Sequence, residues 1–419
     1  MLTPPLRILI VDDEPDRSLG WAQDIRGLLG TTIPTVEALE VEALDIGAAR
    51  RLLEAVDNRR RNARERNLDP LDRNIQCDLD DVDILIVDYD LQELLQVGQW
   101  STGLQVATLV RAFSRVKLVV LVNQFGSNTF DLTLTKASQS HSDFDVGSDQ
   151  LLNPTLWSRS CISDYAPWAW NDGLLHAPAR MEKTMEWVMK HLDKSILETL
   201  GFTTGPQNTG AETYLGQELW QECMDDPKYS YRDLVRESEF LTPKDRAALV
   251  GSDESCARVA AALISHWLER WVIPSNETLI DLPHLASSYP WLLTNNMDLL
   301  SWQATTYLDN GLSAFIPTVA KHEFKPGFPL ARPVIWKHKI LQDVELGEPT
   351  GFTYDSFPDV VFCEDTAQFH NFADTRPFSC RLPGSDTQRF VTDPAKIAPT
   401  GSSHSLKHVI YEPSVLFAL

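Results

Sequence analysis

Two stretches of this chain end an apolar run on acid: "ILIVDDEP" at residues 8–15 and "ILIVDYDL" at residues 84–91. Each run of Ile, Leu and Val has the composition of a strand buried on both faces. Charge at the tip of such a strand is costly unless it meets water, a helix end or a ligand. Carboxylates brought together from neighbouring strand ends can share one hard cation, which takes oxygen ligands. Asp12, Asp13 and Asp88 are the residues that could do this, with Asp90 beside them. The plainer alternative is that these acids are solvated turn formers or caps of the following helix, as Asp16 could be. The same feature on two successive buried strands weighs towards a site.

The elements that would position these acids alternate in type along the first 150 residues. "LRILIVDDE" reads as a strand, and "DRSLGWAQDIRGLLG" as a helix with Leu19, Ala22, Ile25 and Leu29 on one stripe and Gly30 as its stop. "TVEALEVEALDI" reads as a second strand, followed by a helix from about Gly47 to Arg66. Its basic face, "RRLLEAVDNRRRNARER", is most simply a solvated surface. The second acidic strand, the helix "GLQVATLVRAFSR" and the strand "KLVVLVN" complete the series. Such alternation predicts a parallel sheet with helices on both faces. Ligands of such sheets gather outside the carboxyl ends of the strands, where Asp12, Asp13 and Asp88 would lie.

"ILIVDDEP" and "ILIVDYDL", followed by "STGLQVATLVR" and "VVLVN", resemble the receiver domain of two-component response regulators over roughly residues 6–154. The resemblance implies a doubly wound, five-stranded, flavodoxin-like α/β fold and a Mg²⁺-dependent phosphoacceptor. It implies that Asp88 takes the phosphoryl group, that Asp13 ligates Mg²⁺ directly, and that Asp12 assists. Asp90 stands where the family offers a backbone carbonyl to the metal. Three departures accompany the match. Extra polar residues, around 58–80, separate the two acidic motifs and read as a surface elaboration. Asn123 occupies the position of the family's switch Thr or Ser. The best candidate for the end of the fifth strand, "DQLLNP", places Asn153-Pro154 where the family has Lys-Pro, and Lys136 is the only lysine between Lys117 and Lys183 that could stand in. Metal and nucleophile are thus expected, whereas the relay that signals phosphorylation is expected to be weak.

The character of the chain changes beyond about residue 155. Ten of twelve tryptophans lie past residue 150, and no second strand-helix series follows. Residues 156–316 read as mainly helical, with a long helix predicted over "PARMEKTMEWVMKHLDKSILETLGF" and others at "ETYLGQELWQEC", "YRDLVRESEF", "TPKDRAALVG" and "DESCARVAAALISHWLERWVI". Residues 317–419 are richer in proline and phenylalanine and predict short strands and loops, giving an α+β C-terminal part. Asp281 with His284 lacks a nucleophile elbow and reads as a structural loop. Cys363, Glu364, Asp365, His370 and Cys380 fit no compact zinc spacing and read as packing residues. His266, Trp267 and Trp271 are at helical spacing and read as core.

Charge bounds the partners. Lys+Arg 37 against Asp+Glu 59 gives a net charge of −22, which repels nucleic acid and anionic lipid. No apolar run reaches the length of about eighteen residues that spans a bilayer. The N-terminal apolar stretch is too short for a signal sequence, and six scattered cysteines fit reduced thiols. The expectation is a cytoplasmic phosphoacceptor rather than an enzyme. It would be charged by a histidine kinase, meet an effector protein of the same system, and act as a phosphate sink. Accessory receivers of two-component-like anti-phage systems share that layout. The alternatives are an enzyme controlled by the receiver, with catalysis in the C-terminal half, and a pseudo-receiver that only docks protein.

Overall fold

The computed structural model describes residues 6–32, 39–91, 102–123, 141–148, 150–158, 173–202, 222–223, 225–239, 241–308, 311–353, 357–380, 388–393 and 410–411. Five parallel strands form the first sheet: β1 (Leu6–Val11), β2 (Leu39–Ala43), β3 (Ile84–Asp88), β4 (Leu118–Val122) and β5 (Phe144–Val146). They are ordered β2-β1-β3-β4-β5, so the two acidic strands are direct neighbours. Ile8 pairs with Ile84 and Val11 with Val87, which brings both acidic tips to one edge.

Alternation along each strand sorts the side chains into two cores. Ile8, Ile10, Ile84, Ile86, Val120 and Val122 pack against α1 (Pro15–Thr32) through Trp21, Ala22, Ile25 and Leu29. Leu9, Val11, Leu85, Val87, Val119 and Leu121 face α2 (Ile46–Arg66) and α3 (Gly103–Phe113). Asp45 caps α2, its Oδ1 accepting from Ala48 N–H at 2.7 Å, and Asn67 ends it in the left-handed region at φ 53. This second core continues without interruption through the buried helix Asp253–Trp267 to Trp336, Phe362 and Val391. The helical part therefore packs against α2 and α3, the helices that cover this face of the sheet.

Several sequence expectations need correction. Leu19 is exposed, and Trp21 takes its place on the buried stripe of α1, which runs on through Gly30. The basic face of α2 is not simply solvated. Arg59 is buried against Asp80, with Nη1–Oδ1 at 2.8 Å and Nη2–Oδ2 at 2.7 Å, and Arg60 reaches Asp245 at 3.0 Å. The elaboration between the acidic motifs is thus partly a connector to the helical region. The fifth strand is Phe144–Val146 rather than "DQLLNP", and Asn153 caps a short helix, Pro154–Trp157. The long helix predicted after residue 177 is two, Ala177–Met189 and Ile196–Leu200, with Ser195 capping the second. Most of "ETYLGQELWQEC" lies outside the described residues. Helices at Tyr231–Glu237 and Pro243–Val250 lie where the pattern puts them, and Thr242 caps the second. Short strands lie in the C-terminal part: Val334–Trp336 pairs antiparallel with Leu279–Asp281, and a five-strand sheet forms from Val360 onwards. Among the described residues, no helix is long and apolar enough to cross a membrane.

Candidate functional site: an acidic pocket at the strand ends

The sheet delivers three carboxylates to one place. Asp12 follows β1, Asp13 follows it, and Asp88 ends β3. They are 0%, 8% and 3% exposed, and each offers an oxygen within 4.8 Å of the others. Hard oxygen donors at that separation suit a divalent cation such as Mg²⁺. The three carboxylates fit the ion on donor type and spacing.

The pocket also holds a cation of its own that sequence reasoning missed. Arg17, in the first turn of α1, reaches back over the strand ends. Its Nε donates to Asp12 Oδ2 at 2.6 Å, and its Nη2 donates to Asp12 Oδ1 at 2.6 Å and Asp88 Oδ2 at 2.7 Å. Nη2 also lies 3.6 Å from Asp13 Oδ1, and Nη1 lies 3.2 Å from Glu14 Oε1. The guanidinium is thereby held firmly charged. A spacing of i, i+4 from Asp13 at the start of a helix was the available signal, because helical side chains lean towards the N-terminus.

Burial pushes the Asp88 carboxyl up to about 7, and the charge of Asp12 adds to that rise against the pull of Arg17. A carboxyl poised near neutrality in a pocket of charges is the signature of many functional acids. Asn123 stands just past β4, 2% exposed, its backbone N–H donating to Val146 O at 2.8 Å. Asp90 is exposed two residues beyond β3 and forms an antiparallel bridge with Thr102. Thr102 caps α3 by accepting from Gln105 N–H. Lys136 lies outside the described residues, and β5 is followed by Gly147 and Ser148, so no lysine directly follows that strand.

The other candidates separate into packing roles. Asp281 caps the helix Leu282–Ser288 and bonds His284 Nδ1, while His284 Nε2 lies 2.8 Å from Glu364 Oε1. Arg389 bonds Glu364, and Arg332 Nη1 donates to Asp281 Oδ2 at 2.7 Å. Asp365 accepts from Thr392 N–H at 3.1 Å, and His370 pairs with Thr366. These groups belong to separate local networks. The side chain of Cys380 lies outside the described residues, and Cys363 is a buried free thiol, as are Cys77, Cys223 and Cys256. His266 and Trp267 are core residues, and Trp271 packs at its margin. Among the described residues, Asp12, Asp13 and Asp88 are the one group of acids, histidines and cysteines spaced to hold a metal.

No family model, no curated protein and no solved structure matches this chain.

Proposed function

We propose that the chain is a response-regulator-like phosphoacceptor. The observation that carries this reading is the convergence of three buried carboxylates at the carboxyl ends of two adjacent parallel strands. In it, the sheet is a flavodoxin-like receiver. Asp12, Asp13 and Asp88 would hold Mg²⁺, and the Asp90 backbone carbonyl would be the fourth protein group. When bound there, such an ion would neutralise charge on the incoming phosphoryl oxygens.

The chain's own part is nucleophilic. An oxygen of the Asp88 carboxylate forms a bond to the phosphorus of a phosphohistidine on a partner kinase. The P–N bond breaks, its electron pair stays on the imidazole nitrogen, and that nitrogen takes a proton from solvent. The product is an aspartyl phosphate. At 3% exposure and hydrogen-bonded to Arg17, Asp88 must be uncovered before the donor's phosphorus can reach its oxygen. With Asn123 at the switch position and no lysine directly after β5, the aspartyl phosphate has few groups to report it. The reading is therefore a cytoplasmic phosphate sink that contacts its kinase, and an effector of the same system, through protein surfaces. Nucleic acid and membrane are not among its partners, and phage defence is one setting that suits such an accessory receiver.

A second reading has a specific observation in its favour. Arg17 already neutralises part of the acid cluster, as it would in a pseudo-receiver that docks protein without accepting phosphate. Among the described residues, the polar cluster that the enzyme alternative would use, Asp281–His284–Glu364–Arg389, is buried among its own ion pairs.

Intact-mass spectrometry after incubation with Mg²⁺ and acetyl phosphate separates the first two. The expected result is a gain of one phosphoryl group in wild type, loss of that gain in Asp88→Asn, and its retention in Asp90→Asn. An unchanged mass in wild type, under conditions where a known receiver is labelled, favours the docking reading.

A further inference from the structure

We propose that Arg17 is a built-in competitor for the divalent cation, so that the pocket must release its own guanidinium before it can be charged. The inference rests on the phosphoacceptor reading of the same site and concerns its regulation. Nη2 of Arg17 hydrogen-bonds Asp12 Oδ1 and Asp88 Oδ2 and faces Asp13 Oδ1. A cation bridging Asp12 and Asp88 through those oxygens would share both ligands with Nη2, and two cations repel at that range. Metal and guanidinium are therefore alternatives.

The geometry gives Arg17 somewhere to go. Its side chain is 21% exposed at the pocket mouth, and Nη1 already touches Glu14, whose side chain is 68% exposed. On the other side, the guanidinium carbon lies 5.6 Å from the ring centroid of Trp21. Movement towards Glu14 would break four contacts, to Asp12, Asp13, Asp88 and Trp21, while keeping one charge partner. At low Mg²⁺ the acids are partly neutralised and Asp88 is tied up as an acceptor. At high Mg²⁺ the ion displaces the side chain and frees an Asp88 oxygen. Arg17 thus sets the Mg²⁺ concentration at which the site becomes competent.

The test is calorimetric titration of Mg²⁺ into the full chain and its Arg17→Gln variant, with Trp21 emission obtained by difference from Trp21→Phe. If the pocket is free of Arg17 in about a tenth of molecules, removing the guanidinium should tighten Mg²⁺ binding about tenfold. Mg²⁺ should change Trp21 emission in wild type and leave it nearly unchanged in Arg17→Gln. Should Arg17→Gln fold poorly, Arg17→Lys should bind Mg²⁺ with intermediate strength, because an ammonium lacks the fork that spans two carboxylates. Equal or weaker Mg²⁺ affinity in a folded Arg17 variant overturns the competition and leaves the phosphoacceptor reading standing. Absence of Mg²⁺ binding in wild type and variants alike overturns both.

Discussion

A Cβ atom on residue 103 would lie 2.3 Å from the carbonyl oxygen of Asp88. The first residue of α3 is thus in contact with the backbone of the proposed nucleophile, and Gly103 N–H donates to Tyr89 O at 2.8 Å on the next peptide. Glycine is required here by closeness of approach rather than by its backbone angles.

Gly103→Ala should therefore force α3 and the end of β3 apart. Overpacking of this kind costs roughly 1–3 kcal/mol, with backbone rather than a flexible side chain as the obstacle. Urea denaturation should show a lower midpoint, and labelling of Asp88 by acetyl phosphate should fall further than stability alone accounts for. A variant with unchanged stability and labelling would show that the contact between α3 and Asp88 is not needed.

The acidic strands were legible because their signal is local: four apolar residues, then charge, twice. What escaped was decided by partners distant in sequence or by short elements. Arg59 looked like a solvent residue because its helix is rich in arginine, but Asp80, twenty-one positions on, draws it into the core. β5 has three residues, too few for periodicity to mark, so "DQLLNP" was the better-looking candidate. Leu19 and Trp21 are both apolar near the start of α1, and only packing on the sheet decides which is buried. Arg17 was visible as a residue, but its role depends on Asp88, seventy-one positions away.

Proton uptake by Asp88 should be measurable. Its carboxyl lies near 7 because it is buried beside Asp12, so at pH 6 most molecules carry a proton there and at pH 8.5 few do. A cation binds the ionised form, so Mg²⁺ binding should release up to about one proton at pH 6 and almost none at pH 8.5. Calorimetry in buffers of different ionisation enthalpy reads that number directly. Asp88→Asn should remove the release, and equal release at both pH values would refute the assignment to Asp88.

The join between sheet and helices should be sensitive to Asp80. Its carboxylate accepts from Arg59 and from the backbone and guanidinium of Arg115, while Arg115 also reaches Glu254 at 2.7 Å. Asp80→Ala leaves Arg59, 1% exposed, without its carboxylate partner. Breaking one side of such a pair costs about 3 kcal/mol. The loss should appear in denaturant unfolding monitored by tryptophan emission, and a change under roughly 0.5 kcal/mol, the scale of surface substitutions, would contradict it.

His284 should make stability bell-shaped in pH. Burial alone would neutralise its ring, but the charges of Asp281 and Glu364 outweigh that and hold its pKa above the ordinary 6.5. Asp281 is likewise pushed up by burial, yet the charges of His284 and Arg332 bring it down to about 2. The two shifts act on opposite sides. The contribution of His284 is complete below pH 6.5 and is lost as pH rises through its elevated folded value. That of Asp281 is complete above its ordinary 3.8 and is lost as pH falls towards about 2. The stabilisation contributed by this pair should accordingly be highest between about pH 4 and pH 6.5 and decline on either side, read as the difference in urea midpoint between wild type and His284→Gln. In His284→Gln, no ring remains to lose its proton, so the alkaline decline should flatten. Below pH 6.5 the variant should be less stable by roughly 3 kcal/mol, because two buried carboxylates lose their shared partner, and the gap should narrow as the wild-type ring loses its proton. An alkaline slope identical in both proteins would place the titrating group elsewhere.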